Sequence, residues 1–272
     1  MKIHARHLAA SLLISFVTAS AAAATEAPNT SDTESVAFVG VQAVLNSEHL
    51  GSAEEDVSFL PYLSVDDYKG IDIFGPAISY RLIDTGTGEG IGKWSLRAGP
   101  NLTYQRGRDS DDAETLTGFD DIDGSVLAGG YARATFGPIG LRFEAGQDFI
   151  GGHDGLTANA SIGTVLPLGP LTIQPAATVN WGNSNHNQSF FGITPEQAAL
   201  SGLDVTEVNS GIYSYSLSAV SWLEVTEDYS ITLIGSHSWF TNDAKDSPIL
   251  PAEDGADTGI LVSLSVSRKF KL

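Results

Sequence analysis

The sequence predicts an all-β fold, a transmembrane antiparallel up-and-down β-barrel of about 12 strands with short periplasmic turns and long acidic extracellular loops. Three observations carry this. The closing stretch Gly259 to Leu272 alternates: Ile260, Val262, Leu264, Val266, Arg268, Phe270 and Leu272 fall on one face, and Ser263, Ser265, Ser267, Lys269 and Lys271 on the other. That period of two marks a strand with one apolar and one polar face. After the first residues, no apolar run is long enough for a membrane helix, so a chain that crosses a membrane must cross it with strands. The connections between strands also sort by length, short ones alternating with long acidic ones, as they do in a barrel whose termini share one side.

At the amino terminus, Lys2 and Arg6 precede an apolar stretch from Leu8 to Ala19 and the small-residue run Ala22-Ala23-Ala24. This is the pattern of an export signal over residues 1–24, with the apolar run too short for a membrane anchor. Residues 25–35 follow as a polar tether, and 36–272 form the barrel. The chain has 272 residues, no cysteine, and 33 acidic against 14 basic residues, a net charge of −19. Such a balance repels phosphate backbones and excludes nucleic acid as a partner class. The missing cysteines exclude disulfides, thiolate metal sites, a cysteine nucleophile and a lipoprotein anchor.

In chain order, Val36 to Leu45 reads as a first strand, followed by an acidic loop from Asn46 to Asp56 and a second strand from Val57 to Val65. Asp66-Asp67 marks a turn. Gly75-Pro76 divides the next apolar stretch into two short strands, 70–74 and 77–83, because proline is poorly tolerated inside a sheet. Trp94 to Gln105 alternates clearly, as does Ser125 to Phe136, which ends on the reversal Gly137-Pro138. Leu141 to Phe149 sets Leu141, Phe143, Ala145 and Phe149 against Arg142, Glu144, Gly146 and Asp148. Leu156 to Leu166 and Leu171 to Trp181 flank Leu168-Gly169-Pro170, with Pro175 predicting a bend. A long loop from Gly182 to Ser210 holds one short helix at Pro195 to Ser201, with Thr194 as its N-cap. Ile212 to Glu224 and Tyr229 to Phe240 precede the last acidic loop and the closing strand, whose neighbours should be the eleventh strand and the first. Trp94, Tyr104, Trp181, Trp239 and Phe270 suit interfacial girdles.

Four loop segments add a resemblance. Gly107-Arg108-Asp109-Ser110-Asp111-Asp112, followed by Asp120-Asp121-Ile122-Asp123-Gly124, resembles a segment of the MipA/OmpV family of outer-membrane proteins. So do the run from Gln188 to Ala198, with Phe190, Phe191, Gly192 and Gln197, and the run from Asp243 to Ile249. Gly151-Gly152-His153-Asp154-Gly155 matches as well. Two positions depart from the family pattern: His49-Leu50 stands where an aromatic is usual, and the chain ends Lys269-Phe270-Lys271-Leu272 rather than Tyr-Arg-Phe. The resemblance implies a barrel in the outer membrane of a Gram-negative bacterium, in contact with lipid and lipopolysaccharide. It further implies a scaffold that brings together a periplasmic lytic transglycosylase and a penicillin-binding protein in peptidoglycan remodelling, while other members of the family are porins, adhesins or antigens.

The residues themselves offer three candidate chemistries. The loop from Arg108 to Asp123 collects Asp109, Asp111, Asp112, Glu114, Asp120, Asp121 and Asp123. Clustered carboxylates can bind Ca²⁺, but the spacing lacks the first and last ligands of an EF-hand, so it reads first as a solvated acidic loop with Arg108 paired locally and no metal assigned, with cation binding and divalent bridging to lipopolysaccharide as the alternatives. For hydrolysis, His237 lies between Ser236 and Ser238, yet neighbours on a strand point to opposite faces, which keeps base and nucleophile apart. His153 in its glycine-rich loop reads as a packing or capping residue. No catalytic set and no cofactor are expected. The inward-facing charges Arg81, Arg97, Arg133, Arg142, Glu144 and Asp148 suit either a narrow solute pore or a lumen filled with paired charges. The function expected is therefore a non-enzymatic scaffold, with a small-solute porin or a surface adhesin as the alternative.

Overall fold

The structure is a computed structural model that describes residues 35–47, 55–88, 91–110, 116–250 and 258–272. The expected signal, all but the last residue of the expected tether, His49-Leu50, Asp111, Asp112 and Glu114 lie outside the described residues.

One antiparallel sheet closes on itself. Its strands are β1 (Val36–Ser47), β2 (Glu55–Tyr68), β3 (Ile71–Phe74), β4 (Ala77–Tyr80), β5 (Ile83–Gly86), β6 (Trp94–Gln105) and β7 (Ser125–Phe136). They continue as β8 (Ile139–Asp148), β9 (Leu156–Thr164), β10 (Leu166–Leu168), β11 (Leu171–Gly182), β12 (Gly211–Glu224), β13 (Tyr229–Phe240) and β14 (Thr258–Lys271). These segments occupy twelve positions in the wall, because β4 and β5 share one side of β6 and β9 and β10 share one side of β11. The closing strand pairs with β13 and with β1, from Val36 opposite Lys271 to Asn46 opposite Leu261, so the expected closure is present.

Short turns at 69–70, 137–138, 169–170 and 225–228 share the end that carries both termini, as does the 87–93 connection. The long connections 106–124, 183–210 and 241–257 leave from the other end. By the rule for outer-membrane barrels the first end is periplasmic and the second extracellular. No helix among the described residues is long and apolar enough to cross a membrane, so strands make the crossing.

Polarity is inverted relative to a soluble protein. Along β14, Ile260, Val262, Leu264 and Val266 are exposed while Ser263, Ser265 and Ser267 are each 2% exposed. On β6, Trp94, Leu96 and Leu102 face out, and Ser95, Asn101, Thr103 and Gln105 are buried inside. Such a surface would be prohibitive in water and is what a hydrocarbon solvent demands, since the apolar side chains meet lipid and the closed ladder leaves the wall few unpaired backbone groups.

The interior is divided. On the side of β1, β2, β3, β12, β13 and β14 two apolar groups share the lumen with buried hydroxyls such as Ser64, Ser216, Thr232 and Ser265: Val44, Val220, Ile234 and Leu261 pack with Leu60 and Phe74. Val36, Phe38, Tyr62 and Trp222 form a second group, with Phe38 edge-on to Trp222 at 4.4 Å. Withdrawing each large apolar side chain from lumenal water contributes about 1.5–3 kcal/mol. The side formed by β6, β7, β8, β9 and β11 is polar, lined by Asn101, Thr103, Arg133, Glu144, Ser161, Thr178 and Asn180.

Four sequence readings need correction. The second strand runs through Asp66-Asp67 to Tyr68, and its turn falls at Lys69-Gly70, with Asp67, Lys69 and Gly70 all at positive φ. The strand expected over 77–83 is broken into β4 and β5 at Arg81-Leu82, where the Arg81 N–H still donates to Gly70 while the Leu82 N–H switches to Ala98 of β6. The strand expected over 156–166 likewise breaks at Val165. The long loop holds two helices rather than one, α1 (Ser184–Phe191) and α2 (Pro195–Ser201), and a short α3 (Asn242–Lys245) follows β13.

Candidate functional site

Over the extracellular mouth, three loops fold together into a cap, and Arg108 is its tie. The backbone of Arg108 exchanges two hydrogen bonds with Ile122, at 2.9 and 2.7 Å, closing the 107–122 loop on itself. A side chain at Gly107 would collide with the Ile122 carbonyl, and one at Gly124 with the Tyr104 hydroxyl, so both glycines serve close approach. The Arg108 guanidinium, in a residue only 4% exposed, donates to the Phe190 carbonyl at 3.0 Å and lies over the Phe119 ring at 5.4 Å. The Arg108 side chain thus reaches across to α1, beyond the local pairing expected of it. Asp109, Asp120, Asp121 and Asp123 are exposed, and the Ser110 N–H holds the Asp121 carboxyl below the usual carboxylate range.

Helix α1 starts at Asn183, whose side chain accepts the His186 N–H, and buries His186, Asn187, Phe190 and Phe191. Phe190 and Phe191 pack with Ile122, Val208, Tyr213, Phe240, Ala244 and Leu250. Gly192 follows because a side chain there would strike Gln188. Gln197 completes a capping box with Thr194 at the start of α2. Ser247, in the third motif segment, donates to the Phe191 carbonyl at 2.6 Å. A second apolar group, Leu116, Phe119, Ile193 and Ile249, joins all three loops. The motif residues that sequence reading singled out thus converge, although they lie far apart along the chain.

Beneath the cap, Asp148 ends β8 and accepts backbone N–H groups from Ile150, Gly151, His153 and Asp154 at 2.7 to 3.2 Å. It organises the 149–155 loop. The Gly155 N–H donates to His153 Nδ1 at 2.9 Å, which places the proton of the neutral ring on Nε2. His153 and His186 stack edge to face at 5.0 Å. Burial pushes the His153 pKa down, and it pushes His186 down to about 3.

This pair makes the cap sensitive to acid. In the closed cap both rings are neutral, whereas in the open cap they titrate near the ordinary histidine value. The open form then binds more protons as pH falls. The stabilisation is complete above about pH 6.5 and declines below it, for His186 by about 1.4 kcal/mol per pH unit down to its depressed value. Hydrogen exchange of the α1 amides, corrected for intrinsic rates, should be faster at pH 4.5 than at pH 7.5. Equal protection at both would contradict the coupling.

The remaining inward charges form two groups. At the periplasmic end Arg81 meets Asp67 and Asp84 at 3.1 Å and Asp72 at 3.4 Å, and Arg97 meets Asp84 at 3.5 Å. In mid-barrel, strand register sets Arg97, Arg133 and Arg142 side by side on β6, β7 and β8. Arg142 pairs with Glu144 at 3.2 Å and lies over the Tyr131 ring. Glu144 also accepts from Asn101 and from Thr103. His237 sits on the outward side against Trp239 while Ser236 and Ser238 are buried inside, and among the described residues no group of three acidic or histidine side chains is placed to hold a metal ion.

The whole barrel, from Val39 in β1 to Phe270 in β14, matches the family described as MltA-interacting protein MipA, over residues 39–270. The chain belongs to the MipA family. Among curated relatives of this family member, the outer membrane protein Omp26La of Vibrio anguillarum is 23% identical over 199 residues, covering 72% of this chain and 74% of the relative. The MltA-interacting protein of Escherichia coli (strain K12) is 26% identical over 179 residues, covering 65% of this chain and 69% of the relative. Two solved structures are also similar. The anion-selective porin from Comamonas acidovorans has a TM-score of 0.31 and 9% identity, covering 87% of this chain and 98% of the porin. OmpT of Vibrio cholerae has a TM-score of 0.36 and 8% identity, covering 89% of this chain and 99% of OmpT. The MipA-family chain is accordingly an outer-membrane β-barrel protein of a Gram-negative bacterium.

Proposed function

We propose that this MipA-family barrel is a non-enzymatic scaffold that holds a periplasmic lytic transglycosylase and a penicillin-binding protein together for peptidoglycan remodelling. One observation carries the reading on the structural side: the mouth is covered by a packed cap, and two apolar groups fill part of the interior below it. A wall built in this way anchors turns and rim at the periplasmic face without a wide aqueous path. A relative bearing the name MltA-interacting protein points to the first enzyme class as partner. Asp67 and Asp84, exposed and each tied to the largely buried Arg81 side chain, offer a fixed acidic rim at the periplasmic end.

The purified barrel should be retained on an immobilised lytic transglycosylase and, once bound, should retain the penicillin-binding protein as well. A barrel that passes through unretained would sink the scaffold. A second reading, a small-solute pore, is favoured by the arginine row Arg97, Arg133 and Arg142. It predicts stepwise current in planar bilayers, whereas the scaffold predicts none from the closed cap.

A further inference from the structure

The lipid-facing wall is not smooth. Two neighbouring rows of outward side chains cross β9, β11, β12 and β13 toward the extracellular end: Ala160, Val179, Tyr215 and Trp239 in one, and Ile162, Ala177, Leu217 and His237 in the other. Each row has an alanine beside larger neighbours, and the strand register sets the two alanines on a diagonal. The outcome is a groove of about 460 Å³, in which Ala160 and Ala177 leave a low floor between Leu141, Ile162, Leu217 and Trp239. That is within the usual range for small-molecule sites, about 300–1,000 Å³. None of the described residues that line it is charged.

The level of the groove decides what covers it. Trp239 is next to the last residue of β13, and the 183–210 and 241–257 connections leave from that end, so the groove lies in the extracellular half of the wall. In the outer membrane of a Gram-negative bacterium that leaflet is built of lipopolysaccharide. An apolar groove that already faces hydrocarbon gains nothing from transfer out of water; what it gains from an occupant is contact, because a void beside the wall forfeits dispersion. A flexible acyl chain can follow such a groove, whereas the convex wall of a second copy, several strands wide, would bridge it. We infer that the groove seats one acyl chain of lipopolysaccharide as a firmly held lipid, with Tyr215 and Trp239 near the headgroup level. The inference rests on the orientation of the barrel in the membrane and goes beyond the scaffold reading, on which it does not depend.

The test uses the barrel purified from outer membranes in a mild detergent with EDTA present, which removes divalent bridging between lipid phosphates and the acidic loops. Native mass spectrometry should show one lipopolysaccharide per barrel, retained after phospholipid has been washed away. A delipidated barrel titrated with lipopolysaccharide should saturate at the same ratio. Ala160→Leu and Ala177→Leu fill the groove while keeping the lipid face apolar, and each should weaken binding at least about fivefold. Ala43→Leu, which adds the same volume on the outward face of β1 opposite Leu264, should leave binding unchanged. Heat-modifiable mobility on gels confirms that each variant is folded. Unsaturable binding by wild type would overturn the inference, and so would phospholipid retained in place of lipopolysaccharide, equal binding by wild type and both groove variants, or loss of a dimer rather than of lipid in those variants. The wild-type titration decides the matter even if a variant does not fold. Its failure would leave retention on the transglycosylase untouched.

Discussion

Replacing Arg108 by alanine should open the cap while leaving the barrel intact. The variant removes the donor to the Phe190 carbonyl and the cation over Phe119. The lost hydrogen bond from a charged donor costs about 1.5–3 kcal/mol and the lost cation–π contact about 0.5–2 kcal/mol, so together about 2–4 kcal/mol is withdrawn from the closed cap. The effect should be local, because the ladder of twelve wall positions contains none of these contacts. The α1 amides should exchange tens to hundreds of times faster, as that free energy implies, and protease should cut between 183 and 210 while the strands stay resistant. Arg108→Lys should rescue only in part, since an ammonium does not reproduce the planar fork. Unchanged protection in Arg108→Ala would show that the apolar groups alone hold the cap.

The second large effect is on the wall. Leu264 is half-exposed at the middle of β14, facing outward between Val262 and Val266. Leu264→Arg should lower the stability of the barrel in lipid vesicles by about 2–4 kcal/mol, the cost of a cation at the midplane of the lipid face. Lys269→Arg, near the periplasmic end on the other face, should fall within about 0.5 kcal/mol of wild type. Denaturant unfolding from vesicles measures both. If the two variants lost stability equally, β14 would not distinguish lipid from lumen.

How much of this was legible depends on the range of the interaction that sets each feature. The closing strand was readable because its two faces meet different solvents and the alternation is written residue by residue. Helix α2 was readable because Thr194, Pro195 and Gln197 form a local start signal. Helix α1 was missed because half of its buried face is His186 and Asn187, so hydrophobic periodicity gives no sign of it. The break between β4 and β5 was missed for a different reason: it follows from a switch of backbone partners, Gly70 for Arg81 and Ala98 for Leu82. The acidic appearance of the 107–124 loop concealed the reach of Arg108, since a partner of its side chain is 82 positions away. Asp148 was grouped with the lumenal charges, whereas its oxygens are occupied by the N–H groups of the next loop. The apolar groups of the lumen are not marked in sequence, and only closure shows that Phe38, Tyr62 and Trp222 meet inside.

The barrel is inverted, with lipid outside and a capped lumen inside. The chain has no cysteine, so a single cysteine at each position from Ile260 to Ser267 gives a unique label site along β14. A fluorophore on each, read in vesicles with a quencher on the lipid acyl chains, should be quenched at 260, 262, 264 and 266 and protected at 261, 263, 265 and 267. Uniform quenching, or quenching of the serine positions, would contradict it.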